Sequence, residues 1–216
     1  MKINRKGIYQ SFDAAGNVDA DERWQVITYA DGSIQIDNET VRVSPFDEPR
    51  SDSMSMLLDE HLDLIEFNIH GLFGTRESRI CVLGEQRDAA TICWRHKAEI
   101  HEKRIAWRED IEIDWQTPLL NMATVWRSQL QPGQARAFAC YYLDAVTFKP
   151  TLLKQIYTRH ADAAHVTRFD TRTLQHYTLD FRGDGSSVSD FWCDDEGVLY
   201  DLVSPQGKFV LTAANV

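Results

Sequence analysis

Across 216 residues, 33 Asp and Glu stand against 23 Lys and Arg, a formal charge of −10 with the seven histidines neutral. That balance lacks the cationic footprint that neutralises nucleic-acid phosphates, and the densest basic cluster, Arg95, Lys97, Lys103 and Arg104, is diluted by Glu99, Glu102, Glu109 and Asp110. With 43% hydrophobic residues, 11% aromatics, 11 Gly and 6 Pro, the chain is neither disordered nor low-complexity; it is expected to fold as one domain over residues 1–216.

The opening residues, Met1-Lys2-Ile3-Asn4-Arg5-Lys6-Gly7, carry charges with no apolar run behind them. No stretch approaches the ~20 apolar residues that span a bilayer, so the expected location is the cytoplasm, with no membrane span. Cys81, Cys93, Cys140 and Cys193 are far apart and without Cys-x-x-Cys spacing, which predicts reduced, partly buried thiols and no metal site.

In chain order, residues 24–29 and 33–36 read as strands flanking Ala30-Asp31-Gly32, an Asp-Gly signal that suits a type I′ hairpin. Residues 45–53 read as an exposed loop, and residues 54–64 as a short helix after it. The segment Ile65-Glu66-Phe67-Asn68-Ile69-His70 alternates apolar with polar, as a half-buried strand does. Residues 119–130 have helical spacing but stay ambiguous, while residues 138–148 are apolar on both parities and predict a strand covered on both faces. Tyr177-Thr178-Leu179-Asp180-Phe181 and residues 198–203 alternate beside turns. The reading is all-β: one many-stranded, curled antiparallel sheet, roll or barrel-like, with little helix.

Residues 91–115 carry the most informative local pattern. One parity holds Ile92, Trp94, His96, Ala98 and Ile100, then Ile105, Trp107, Glu109, Ile111, Ile113 and Trp115; the other is charged, with Asp110, Glu112 and Asp114 assigned to the solvated exterior. A turn centred on Glu102-Lys103 places His96 opposite Glu109, within hydrogen-bond reach. Two readings stand: a buried pair that satisfies itself and holds strand register, or a polar spot inside an apolar cavity.

Catalytic motifs are absent: no Gly-x-Ser-x-Gly, no phosphate-binding loop, no His-Glu-x-x-His and no dinucleotide fingerprint. Asn17, Asp19 and Asp21 begin like a calcium loop, but Glu22 stands where that loop needs Gly and Thr28 where it needs a bidentate Glu. The aromatic residues can fill a core or line a cavity.

At Asp114-Trp115-Gln116-Thr117-Pro118-Leu119-Leu120-Asn121, followed by Arg127 and Gln131-Pro132-Gly133, the chain resembles the bacterial family described as putative glycolipid-binding, whose members adopt a spiral β-roll. Gln155-Ile156-Tyr157-Thr158-Arg159 is similar to the family's Gln-x-Tyr-x-Arg step, and Asp194-Asp195-Glu196-Gly197-Val198-Leu199-Tyr200 to its terminal hairpin. Leu119-Leu120 replaces the family's aromatic and Thr, and Tyr200-Asp201 its Tyr-Pro. The resemblance covers roughly the C-terminal half, and implies that residues 119–130 are extended and that the protein binds an amphipathic molecule.

The leading expectation is therefore non-enzymatic binding of a lipid-like or glycolipid-like ligand, with no cofactor. Trp94 and Trp107 would meet its apolar part, and His96, Glu109 or an Asp114/Arg127 pair its polar part. The alternatives are an enzyme acting on a small hydrophobic substrate with His96 as general base, and an interaction module that binds a basic partner or forms a homodimer through a strand edge.

Overall fold

The computed structural model describes residues 4–43, 50–73, 76–86, 89–96, 98–108, 110–145 and 147–215. Eight strands follow the chain: β1 (Asn4–Asp13), β2 (Val18–Thr28), β3 (Ile34–Arg42), β4 (Arg50–Leu58), β5 (Leu64–Phe73), β6 (Arg76–Gln86), β7 (Ala89–His96) and β8 (Glu99–Ala106). Then come β9 (Ile111–Asp114), helix α1 (Pro118–Ser128), β10 (Ala135–Leu143), β11 (Pro150–Arg159), β12 (Ala163–Val166), β13 (Thr171–Asp180), β14 (Val188–Cys193), β15 (Leu199–Ser204) and β16 (Gly207–Asn215). Among the described residues, all strands belong to one 16-stranded sheet, ordered β8-β7-β6-β5-β4-β3-β2-β1-β16-β15-β14-β13-β11-β10-β9, with β12 paired to β13. The expected all-β curled sheet is what forms.

The chain builds this sheet in two sweeps. β1 to β8 run outward as an antiparallel meander, β9 lies at the opposite edge, and β10 to β16 return until β16 zips onto β1. β9 and β10 are parallel, joined by α1 as a β-α-β crossover. The two edges overlap. All four residues of β9 are buried, and Lys103 on β8 lies over the Tyr141 ring of β10, 5.6 Å from its centroid. The sheet is thus a spiral, in which Lys103 of β8 reaches the outer side of β10 and, among the described residues, no strand pairing joins β8 to β9.

That overlap corrects the exterior assignment of Glu112 and Asp114. Both are buried, at 5% and 7% exposure, because β9 is covered on two faces and its alternation no longer separates core from solvent.

Residues 119–130 form a helix through residue 128, not an extended segment. Thr117 caps it, its Oγ1 accepting from the Leu119 amide at 3.2 Å, Pro118 fits the first turn where no amide partner is needed, and Gln129 closes it in the left-handed region. Every α1 residue except Arg127 is buried, as befits a rod inside the roll.

Residues 54–64 are strand and turn, not helix. Met54, Met56 and Leu58 point inward while Ser53 and Ser55 point out, so alternation overrides the helix preference of Met and Leu. Arg50, expected in an exposed loop, opens β4 at 1% exposure; residues 45–49 lie outside the described residues.

The β7–β8 hairpin turns earlier than expected. His96 pairs with Glu99, Trp94 with His101, Ile92 with Lys103 and Ala90 with Ile105. Alternation fixes which parity faces inward but not where the turn falls, and both placements pair even with odd numbers. The shift moves Ile100 to the outward face, where it is 76% exposed. It also removes the ladder position that set His96 across from Glu109, which lies outside the described residues.

Among the described residues, four hairpins share one turn, over residues 13–17, 29–33, 59–63 and 194–198. In each, the first amide donates to the fifth carbonyl and the fourth amide to the first carbonyl. The fourth residue is left-handed: Gly16 (φ 87°), Gly32 (91°), Leu62 (67°) and Gly197 (79°). The Asp31-Gly32 hairpin is therefore a three-residue loop with one left-handed position, not a type I′ turn.

Candidate functional site

A cavity of about 610 Å3 opens where the β9–α1 junction meets the ends of β10, β13, β15 and β16. Its inner end is polar: Asp114 at the end of β9, Gln116 and Thr117 in the junction after it, and Asn121 in the first turn of α1. Its walls are apolar: Trp115, Leu179, Phe181, Leu202 and Phe209, with Tyr142 packed edge-on against Phe181 at 5.1 Å between centroids. Pro118, Arg182, Ser186, Ser187, Ser189, Ser204 and Gln206 complete the lining.

Asp114 anchors the inner end. Its Oδ2 accepts from the Gln155 side-chain amide at 2.7 Å, and the Tyr157 hydroxyl donates to Asn121 Oδ1 at 2.8 Å, so β9, β11 and α1 are tied by buried polar groups. Burial pushes the Asp114 carboxyl up to about 6, against the lowering effect of the hydrogen bonds from Gln155 and the Trp115 amide.

The junction is held from behind by the N-terminal strands. Thr117 Oγ1 donates to Glu22 Oε1 at 2.6 Å, and Asn38 Nδ2 donates to the same oxygen at 2.9 Å. Burial raises Glu22 to about 7, offset in part by those two bonds and by Arg42. Arg50 Nη1 donates to Gln116 Oε1 at 3.2 Å, its guanidinium stacks over Trp115 at 5.0 Å, and its Nε pairs with buried Asp52. Arg42 Nη2 donates to the Gln116 carbonyl at 3.3 Å and Nη1 pairs with Asp19 at 2.5 Å. Each cation that shapes the cavity floor thus has a carboxylate of its own, which offsets its desolvation.

Of the six residues singled out in the sequence, Asp114 lies in this lining, Trp94, His96, Trp107 and Arg127 lie elsewhere, and Glu109 lies outside the described residues. Trp94 stacks on His101 with centroids 5.0 Å apart, and Trp107 is buried at 4% exposure between β8 and β9. His96 ends β7 opposite Glu99. Arg127 does not pair with Asp114: it bonds Glu112 Oε1 at 2.7 Å and the Ile111 carbonyl at 2.9 Å. Geometry explains the exchange, because Glu112 and Asp114 share a face of β9 and α1 lays Arg127 against the former.

Sequence reasoning missed Leu179, Phe181, Leu202 and Phe209. Leu179 and Phe181 share parity in an alternating strand, a signal that was available; their meeting with β16 was not. Among the described residues, no three His, Cys, Asp or Glu side chains cluster to hold a metal ion, and no helix is long and apolar enough to cross a membrane.

A family model described as "Putative glycolipid-binding" matches residues 18–189. Two crystal structures share the fold. A DUF1089 family protein from Pseudomonas aeruginosa is 19% identical, with TM-score 0.59 over 84% of this chain and 87% of its own. A β-barrel-like protein of the domain of unknown function DUF1849 from Brucella abortus is 9% identical, with TM-score 0.62 over 99% of this chain and 97% of its own. No curated protein matches the sequence.

Proposed function

The chain belongs to the family described as "Putative glycolipid-binding", and from that premise we propose that it binds an amphipathic, glycolipid-like small molecule in the cavity beside Asp114. The supporting observation is the division of one cavity into a polar inner end and an apolar wall. Asp114, Gln116 and Asn121 offer a carboxylate and amides of the kind that hydrogen-bond sugar hydroxyls, while Leu179, Phe181, Leu202 and Phe209 offer a surface for an alkyl chain. A volume of about 610 Å3 falls within the ~300–1,000 Å3 range of small-molecule sites. In this reading the head group lies inward, against the β9–α1 junction, and the chain follows the wall from Phe181 to Phe209.

Titration with a short-chain alkyl glucoside below its micellar concentration, followed by calorimetry, tests the reading. Saturable binding is expected, weakened about tenfold by Phe181→Ala and again by Asp114→Asn, each worth roughly 1.4 kcal/mol. Binding that neither variant changes, or no saturable binding, would sink it.

A further inference from the structure

β6 and β7 pair antiparallel with Cys81 directly opposite Cys93. Both face outward, since their neighbours Ile80, Val82 and Ile92 are core residues at 2%, 0% and 0% exposure. Both thiols are free and partly exposed, whereas Cys140 and Cys193 are buried. Directly opposed residues in an antiparallel pair have Cα atoms ~4.5 or ~5.5 Å apart, either of which lies in the ~4.4–6.8 Å span that a disulfide needs. The two side chains also line a hollow of about 980 Å3 on the outward face of β1 to β8, so a small oxidant can reach them.

We propose that Cys81 and Cys93 form a reversible cross-strand disulfide, a modification site whose oxidant is a low-molecular-weight disulfide. One thiol loses its proton to solvent, and its thiolate attacks the oxidant, forming a mixed disulfide and releasing one thiolate of the oxidant. The second thiol, deprotonated in turn, attacks the protein sulfur of that mixed disulfide. The Cys81–Cys93 bond forms, the second half of the oxidant leaves as thiolate, and the two electrons lost by the cysteines reside on the two released thiols. The bond fastens β7 to β6 one strand in from β8, the free edge of the sheet. Burial pushes both thiols up, aided by Glu66 and Cys93 at Cys81 and by Glu102 at Cys93, so the exchange accelerates as pH rises.

Reduced full-length protein incubated under native conditions with oxidised glutathione at mildly alkaline pH, then analysed by intact mass and peptide mapping, tests the proposal. The expected product has lost one pair of hydrogens, carries no glutathione, maps to a Cys81–Cys93 link and reverts with dithiothreitol. Cys81→Ser and Cys93→Ser should each stop at a single glutathione adduct. Two stable adducts on the unaltered chain, no reaction, or a link to Cys140 or Cys193 would each overturn it. The decisive map is made on the unaltered chain, so poor folding of a variant does not shield the proposal.

Discussion

Thr117 Oγ1 donates to Glu22 Oε1 at 2.6 Å and accepts the Leu119 amide at 3.2 Å, so one hydroxyl both caps the helix and satisfies a carboxylate on a strand 95 residues away. Thr117→Ala removes both bonds and leaves Glu22 short of a donor. The expected loss is about 1–3 kcal/mol, read from denaturant midpoints, with Thr117→Ser recovering most of it. Equal losses in the two variants would show that the methyl group, not the hydroxyl, matters.

Glu22 makes folding depend on pH. Its carboxyl rises from 4.5 to about 7 on folding, chiefly through burial, so the folded state holds the proton more tightly than the unfolded chain. The resulting stabilisation is complete below the unfolded value and is lost as pH climbs through about 7, on the order of 3 kcal/mol in all. Asp114, raised from 3.8 to about 6, adds a gradient of the same sign at lower pH. Glu22→Gln keeps the oxygen that Thr117 and Asn38 address but removes the titration. It should be more stable than the unaltered protein at pH 8 and flatten the slope between pH 5 and 7; unchanged slopes would refute this assignment.

Ligand affinity should carry its own pH signature. With Asp114 titrating near 6, its carboxylate becomes a full acceptor for hydroxyl groups as pH rises from 5 to 7. Alkyl glucoside binding is expected to strengthen several-fold over that interval in the unaltered protein and to stay level in Asp114→Asn. Calorimetric titrations at the two pH values measure the difference.

Gly197 sits against the helix. A Cβ there would lie 2.5 Å from Trp126 Nε1, and its φ of 79° disfavours any side chain. Gly197→Ala should cost about 2–4 kcal/mol and disturb the bond from Trp126 Nε1 to the Glu196 carbonyl, 2.8 Å long. A lowered thermal midpoint with a shifted tryptophan emission is the expected result.

Period-two alternation made the sheet legible, because a strand with one solvated face must alternate; residues 65–70 and 177–181 show it plainly. It failed where solvation failed. Glu112 and Asp114 alternate with Ile111 and Ile113 yet all four are buried, since burial on both sides comes from overlap of strands far apart in sequence. It also could not locate the turn that moved Ile100 outward, because alternation is blind to turn position. Of the cavity, the junction Asp114-Trp115-Gln116-Thr117 was legible as a motif, whereas the wall required knowing that β13, β15 and β16 converge on it. The thiols of Cys81 and Cys93 are neighbours only through strand pairing.

The pairing of β16 onto β1 gives folding a schedule. β1 lies inside the sheet, and along that edge its hydrogen-bond partners from Lys6 to Asp13 come from the segment between Gly207 and Asn215. During synthesis that edge stays open while β2 to β15 are made. Such late, distant closure marks slow folding and a period of exposed backbone. A helper that shields nascent strand edges would therefore raise the yield of this protein more than one that acts on the finished chain.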